Sequence, residues 1–265
     1  APPTTPGGRV ADMTSRVVRL DLAYDGTGFR GWARQRDPAI RTIEGELLRH
    51  LERVLRETPT LSVAGRTDAG VHALGQVVSF RTASPLDPAR IGAAVHGASA
   101  PEVVVTAAST ASEGFDARFS ASARRYRYTI DLAPVPDPFT ARYVWHRPGD
   151  LRLPAMRAAA RGLVGEHDFA SFCRRPGADA STIRSVSRLT VGRRGRHLVI
   201  TAQANAFLHQ MVRSIVGTLV AVGEGRLDPE AMSAVIAARD RAAAGPVAPA
   251  RGLVLEHVAY GRRTH

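Results

Sequence analysis

Residues Gly65-Arg66-Thr67-Asp68-Ala69-Gly70-Val71-His72 place a guanidinium and a carboxylate two positions apart in a segment bracketed by glycines. Gly65 and Gly70 allow a sharp backbone bend and the close approach of a ligand. Strand-like runs flank the segment, over 60–64 and 76–80, and loops mounted on a sheet are a common seat of chemistry. A carboxylate beside a guanidinium is favoured in its charged form, the form needed for nucleophilic or base work. An Asp-Gly loop taken alone also suits a solvated surface turn. The rest of the chain has to decide.

Composition narrows the chemistry. The 265 residues carry 36 basic against 24 acidic side chains, a net charge of +12, and every basic residue is Arg. An excess of guanidinium groups points to a polyanionic partner, since they bind phosphate through paired donors and stack on bases. The absence of Lys excludes a Schiff-base lysine and a Walker-type phosphate loop. Cys173 is the single cysteine, which rules out an intrachain disulfide and the Cys-rich zinc sites of nucleobase deaminases. No two of the nine His have HExxH-like spacing, so no metal site is expected. The longest apolar run, 215–223, is too short to span a bilayer. Residues 1–15, rich in Pro, Thr and Gly, read as a disordered tail without a signal sequence. A soluble, cytoplasmic, reducing setting is the expectation.

The elements that must position the loop follow from periodicity. Residues 16–24 alternate polar and apolar side chains as a half-buried strand does. Thr42 suits the N-cap of a helix to about residue 58, with Ile43, Leu47, Leu51, Val54 and Leu55 on one face. Two strands flank Asp68, Asp87-Pro88 opens a second helix, and 102–107 is a strand. The second part repeats this order. It has a strand at 124–132, a helix at 154–164, strands at 184–191 and 196–204 joined by a turn at 192–195, a helix at 207–222 and a strand at 253–260. A further helix opens at Asp228-Pro229, and 133–150 and 243–251 read as excursions. Two successive βαββαβ units predict an α+β protein of two ferredoxin-like halves, 16–115 with the Asp68 loop and 120–265.

The segment at 65–72 resembles the signature of the TruA-type tRNA pseudouridine synthases. The resemblance extends to Tyr24-Asp25-Gly26-Thr27, Gly31-Trp32, Phe115 to Ala121, Arg124 to Tyr128, His167-Asp168-Phe169, Phe207 to Gly217 and Gly252-Leu253, collinear from about residue 16 to 260. It implies the pseudouridine synthase fold, with both halves in one mixed, largely antiparallel sheet flanked by helices and an active cleft between them. It also implies isomerisation of uridine at tRNA positions 38–40, on the 3′ side of the anticodon stem-loop. Such enzymes act as homodimers, and the reaction, having no redox change, needs no cofactor.

The resemblance gives Asp68 the catalytic role, either attacking covalently or taking a proton from the sugar. It pairs Arg213 with Asp68 across the halves; Arg213 lies at the margin of the apolar stripe Leu208, Val212, Ile215, Val216 and Leu219, and Gly217 leaves the next turn bare. It sets Tyr126 against the target uracil with Leu253 on the other side, and gives Arg66 a part in extruding the nucleotide. Tyr128 suits the core, His72 a brace for the loop, and Asp25 and Asp168 structural turns, while Trp32 suits core or cleft equally. Two other readings use the same residues. A non-catalytic RNA-binding module would not need Asp68, and a nucleic-acid glycosylase would release the base that an isomerase keeps.

Overall fold

The computed structural model describes residues 15–174 and 181–261; the tail expected over 1–15 lies almost wholly outside them. Along the first part of the chain run β1 (Arg16–Tyr24), α1 (Ile43–Leu55), β2 (Ser62–Val63), β3 (His72–Thr82), α2 (Pro88–Ser99) and β4 (Val103–Ala111). Then come β5 (Ala121–Asp131), β6 (Trp145–His146), α3 (Leu153–Arg161), β7 (Gly165–Asp168), β8 (Ile183–Arg194) and β9 (His197–Ala204). The chain continues with α4 (Met211–Gly223), α5 (Met232–Ala238) and β10 (Leu253–Tyr260). Thr42 caps α1 by accepting a hydrogen bond from Gly45 N, and Asp87 caps α2 at Ala89 N. Both caps satisfy amides that a helix start otherwise leaves unpaired.

The described strands join one mixed sheet in the order β4-β1-β3-β10-β5-β9-β8-β7, with β2 on β3 and β6 on β5. Of these pairings, β10–β3 and β5–β6 are parallel. The short β2 decides how the two parts meet. It occupies β3 only at Val78 and Ser79, and Ala64 N still bonds Val77 O before the chain leaves at Gly65. His72 and Ala73 of β3 are thereby left open, and β10 pairs with them through Val254 and Leu255. The loop between β2 and β3 therefore stands where the sheet passes from one half to the other.

The helices lie on one face of this sheet. Leu20 and Leu22 of β1 stand opposite Val78 and Gln76 of β3, and Tyr126 and Tyr128 of β5 opposite Leu255 and Leu253 of β10. These side chains are all buried, and the apolar ones belong to a core that runs through both parts. Gly92 of α2 abuts Ala108 and Val105 of β4, and Arg157 of α3 donates to Val191 O of β8. On the opposite face Arg125 and Arg127 remain partly exposed.

Several boundaries differ from expectation. The β8–β9 turn is Gly195-Arg196, not 192–195, because Gly195 holds the positive φ of +58° and β8 runs on through Arg194. The helix expected from Phe207 starts at Met211, since Gln210 sits in the left-handed region at φ 62°. Asp168, expected in a turn, instead ends the short strand Gly165–Asp168, which pairs with β8. The opening at Asp228-Pro229 is a 3-10 turn that leads into the short α5.

One buried carboxylate ties the end of β5 to the β8–β9 turn. Asp131 is fully buried and accepts from Arg196 Nε at 2.8 Å, from a second Arg196 nitrogen, and from Ala133 N at 3.1 Å. The Arg196 hydrogen bonds, opposed by burial and helped by Ala133 and the nearby charges, hold the Asp131 carboxyl down at about 2. A depressed folded-state value stabilises the protein above the unfolded value of about 3.9 and loses that contribution as pH falls towards 2. The stability gap between the native protein and Asp131→Asn should therefore be widest near neutral pH and narrow between pH 4 and 2. Urea unfolding midpoints of both proteins across that range check this; a constant gap would contradict it.

Candidate active site

The Asp68 loop is clamped along its length by backbone and side-chain hydrogen bonds. Gln76, fully buried on β3, donates to Gly65 O at 2.7 Å and to Tyr24 Oη at 3.1 Å. The Tyr24 hydroxyl in turn meets Thr67 Oγ1 at 2.8 Å, and burial pushes that phenol up to about 12. Trp32 N donates to Thr67 O, Gly70 N to Phe29 O, and Val71 N to Asp68 O. Two glycines make room for this contact between chain segments. A Cβ on Gly26 would lie 2.0 Å from Val71 O, and one on Gly31, at φ +92°, would crowd the Thr67–Ala69 backbone at 3.0–3.2 Å. The motif fragments 24–27 and 31–32 are thus the bed on which the loop lies.

His72 closes the loop. Gly26 N donates to its Nδ1 at 3.1 Å, its Nε2 lies 3.1 Å from Arg142 O, and the ring is buried. Asp25 stands 3.1 Å from Nδ1 and accepts from Thr27 and from Tyr143 Oη. Burial would raise the Asp25 carboxyl, but the Thr27 and Tyr143 hydrogen bonds hold it below the usual range. Trp32 is buried in the core. Asp168, at the end of β7, accepts from Ala170 N and Thr182 and pairs with Arg239 at 3.0 Å, bracing the 3-10 turn that follows.

The loop presents Asp68 towards α4. Arg213 Nη1 donates to Asp68 Oδ2 at 2.8 Å, and Arg213 Nε donates to Ala248 O at 2.8 Å. The two side chains are 15% and 19% exposed for Arg213 and Asp68 respectively, so the pair is largely withdrawn from water. The segment 245–249, expected as an excursion, is laid along α4: Ala248 N bonds Arg213 O and Gly245 N bonds Thr218 Oγ1. Gly217 does not leave bare space, contrary to the expectation from helix spacing. A Cβ there would lie 1.6 Å from Pro246 O, so the glycine is the slot that admits this segment.

His209 joins the site without having been expected there. Its Nε2 lies 3.3 Å from Asp68 Oδ1, and its side chain is 49% exposed at the lip of the site. The available signal in the sequence is its place four residues before Arg213, one turn away had the helix extended that far.

Tyr126 meets the site from the sheet. It is 7% exposed, packs edge-on against Phe207 at 5.2 Å, and its hydroxyl has no hydrogen-bond partner among the described residues. A Cβ on Gly65 would touch that hydroxyl at 3.4 Å. Burial, with Tyr24 and the Asp68 charge adding to it, pushes the Tyr126 phenol well above its ordinary value, so it is neutral at physiological pH. Tyr128 is wholly buried and donates to Pro249 O at 2.7 Å. Leu253 opens β10 opposite Tyr128 on this face and is buried. Arg66 is exposed and has no partner among the described residues. The structure thus brings Asp68, Arg213 and His209 into contact, sets Tyr126 beside the loop, and leaves Arg66 at its rim. Among the described residues no group of His, Cys, Asp or Glu is arranged to hold a metal ion, and no helix is long and apolar enough to cross a membrane.

Comparison with known proteins identifies the family. A family model described as tRNA pseudouridine synthase matches residues 22–120 and 159–261. A tRNA pseudouridine synthase A of Frankia casuarinae is 47% identical over 255 residues, covering 94% of this chain and 91% of that protein. One from Moorella thermoacetica is 42% identical over 243 residues, covering 92% of this chain and 99% of its own. An archaeal box H/ACA sRNP Nop10-Cbf5 complex aligns at TM-score 0.35 and 12% identity over 77% of this chain and 44% of that one, too loosely to add to this. The chain belongs to the tRNA pseudouridine synthase family.

Proposed function

We propose that this chain isomerises uridine to pseudouridine on the 3′ side of the tRNA anticodon stem-loop, with Asp68 as the catalytic group. The observation that carries the assignment is a carboxylate with one oxygen held by Arg213 at 2.8 Å and the other bordered by the half-exposed His209. The reaction breaks the N1–C1′ bond, turns the uracil over and joins C5 to C1′; C5 loses a proton and N1 gains one. Both routes open to Asp68, attack on the sugar or removal of a sugar proton, use an oxygen lone pair free of a strong donor. Oδ1 is that oxygen.

The remaining residues serve access and retention. A uridine paired in a stem must leave its stack before C1′ comes within reach of a carboxylate. Arg66, exposed on the same loop, is suited to fill the vacated position or hold a phosphate. Tyr126 offers a ring for stacking and a neutral hydroxyl beside the loop, and Leu253 bounds the same face of the sheet. The net charge of +12 supplies the attraction for tRNA. The protein works in the cytoplasm as a homodimer in this reading, and the exposed Val135 and Phe139 of the 133–150 excursion give apolar side chains for such a contact. Sedimentation analysis tests the oligomeric state.

Asp68→Asn should abolish conversion of tritium-labelled uridine in a tRNA transcript while tRNA affinity stays within about 1 kcal/mol, since the lost group acts only in the bond-making steps. Appreciable turnover by this variant would remove Asp68 from the mechanism, and free uracil among the native products would identify a glycosylase. Gly217→Ala should act through Arg213. Its Cβ must displace the Pro246–Ala248 backbone that receives the Arg213 Nε, and a misplacement of about 1 Å costs on the order of 10²-fold in rate. Single-turnover rates compared with thermal midpoints check this: an Ala variant that folds and retains its rate would show that the segment does not position the arginine.

A further inference from the structure

The face of the sheet turned away from Asp68 carries a second basic site. Arg125 and Arg127 alternate with Tyr126 and Tyr128 on β5, so their side chains leave the sheet on the side opposite the Asp68 loop. Across β9 and β8 the same face holds Thr201, Val199 and His197, then Arg188 and Arg194. Together they line an open groove of about 370 Å³.

Three observations say what this groove fits. Its charge is one-sided: four guanidinium groups and a single carboxylate, Glu256, which bridges Arg125 at 3.1 Å and Arg127 at 3.0 Å. Among the described residues Arg188 and Arg194 have no hydrogen-bond or ionic partner, and the buried His197 Nε2 at its wall has no hydrogen-bond partner. The shape is extended. Arg188 and Arg194 stand six positions apart on β8, roughly 20 Å at a strand's rise of about 3.4 Å per residue, with a floor of Thr129, Thr201 and Val199 between them. A single small anion would satisfy one end of such a groove. A chain of phosphates fits its length.

We propose that this groove binds the phosphodiester backbone of tRNA at a part of the molecule remote from the target uridine. Guanidinium groups receive phosphate oxygens through paired donors, and the short hydroxyl-bearing floor lets the backbone approach. The assignment rests on the reading of the chain as a tRNA-binding enzyme, but it concerns affinity and is independent of Asp68.

The test is tRNA binding by the doubly substituted Arg188→Gln/Arg194→Gln protein as a function of salt. For every phosphate that is no longer neutralised, the slope of log affinity against log salt should shrink by about 0.7–0.9, so the double variant should flatten it by about one to two. Affinity for full-length tRNA should fall about tenfold at low salt, whereas affinity for an isolated anticodon stem-loop should change less than about twofold. Arg90→Gln, which removes an exposed charge on α2, controls for general electrostatics and should leave the slope within about 0.3. An unchanged slope in the double variant overturns the groove. Equal losses for stem-loop and full tRNA overturn its remote placement. A change in sedimentation behaviour with the tRNA slope unmoved would assign the face to contact between copies of the chain instead. Native protein that binds no tRNA at all would fail the underlying function, a result distinguishable from each of these.

Discussion

The ion pair between Asp68 and Arg213 is the constraint on which the rest of the architecture depends. The two residues are 145 positions apart, one on a loop of the first part of the chain and one on a helix of the second. Neither half can form the site alone. The pair is largely shielded from water, where an unpaired charge is costly. The contact therefore rewards only the correct docking of the halves, and a small error in that docking removes both the partner and the geometry.

The sheet supplies that docking through an incomplete strand. In the second part β8 pairs with β9 along nearly its full length, whereas its counterpart β2 covers only two residues of β3. The uncovered end of β3 receives β10, and the polypeptide saved from β2 becomes the loop that carries Asp68. One local shortening both opens the edge needed to join the halves and places the Asp68 carboxylate at the joint. Buried side chains then fix the loop from three sides: Gln76 from β3, Tyr24 from β1, and Arg124 from β5, whose Nε donates to Ala64 O at 3.0 Å.

Much of this was legible in the sequence where one physical signal dominated. The bounds of β1 follow from its alternation, and the starts of α1 and α2 from a capping side chain followed by an apolar stripe, whereas α1 ends at Leu55, short of residue 58, because Arg56 turns left-handed. Legibility failed where a tertiary contact overrode local pattern. Apolar spacing from Phe207 looks helical, but the left-handed Gln210 delays the helix and turns His209 onto Asp68. Gly217 reads as empty space because the backbone that fills it comes from 29 positions further on. The four residues of β7 carry no alternation long enough to detect, and gain their strand character only from pairing with β8. The Asp68–Arg213 contact itself left no local trace: helix position made it possible, and only the family resemblance singled it out.

The way Arg213 holds Asp68 reconciles two opposed requirements. In the catalytic role proposed for Asp68, the carboxylate must be fixed and supplied with counter-charge, yet it must keep an oxygen free to react. Guanidinium groups commonly meet carboxylates as a fork, two donors to two oxygens, and such a fork would occupy both. Here Arg213 gives Nη1 to Oδ2 and turns Nε to the carbonyl of Ala248. The backbone segment that Gly217 admits therefore does more than fill a groove on α4, for its carbonyl takes the second donor and keeps the arginine to one end of the acid. A lysine ammonium could supply the charge but not this division, because its donors radiate from a single atom on a flexible stem. The planar cation, the glycine and the carbonyl act as one device. It leaves Oδ1 directed at the lip of the cleft, beside the half-exposed ring of His209.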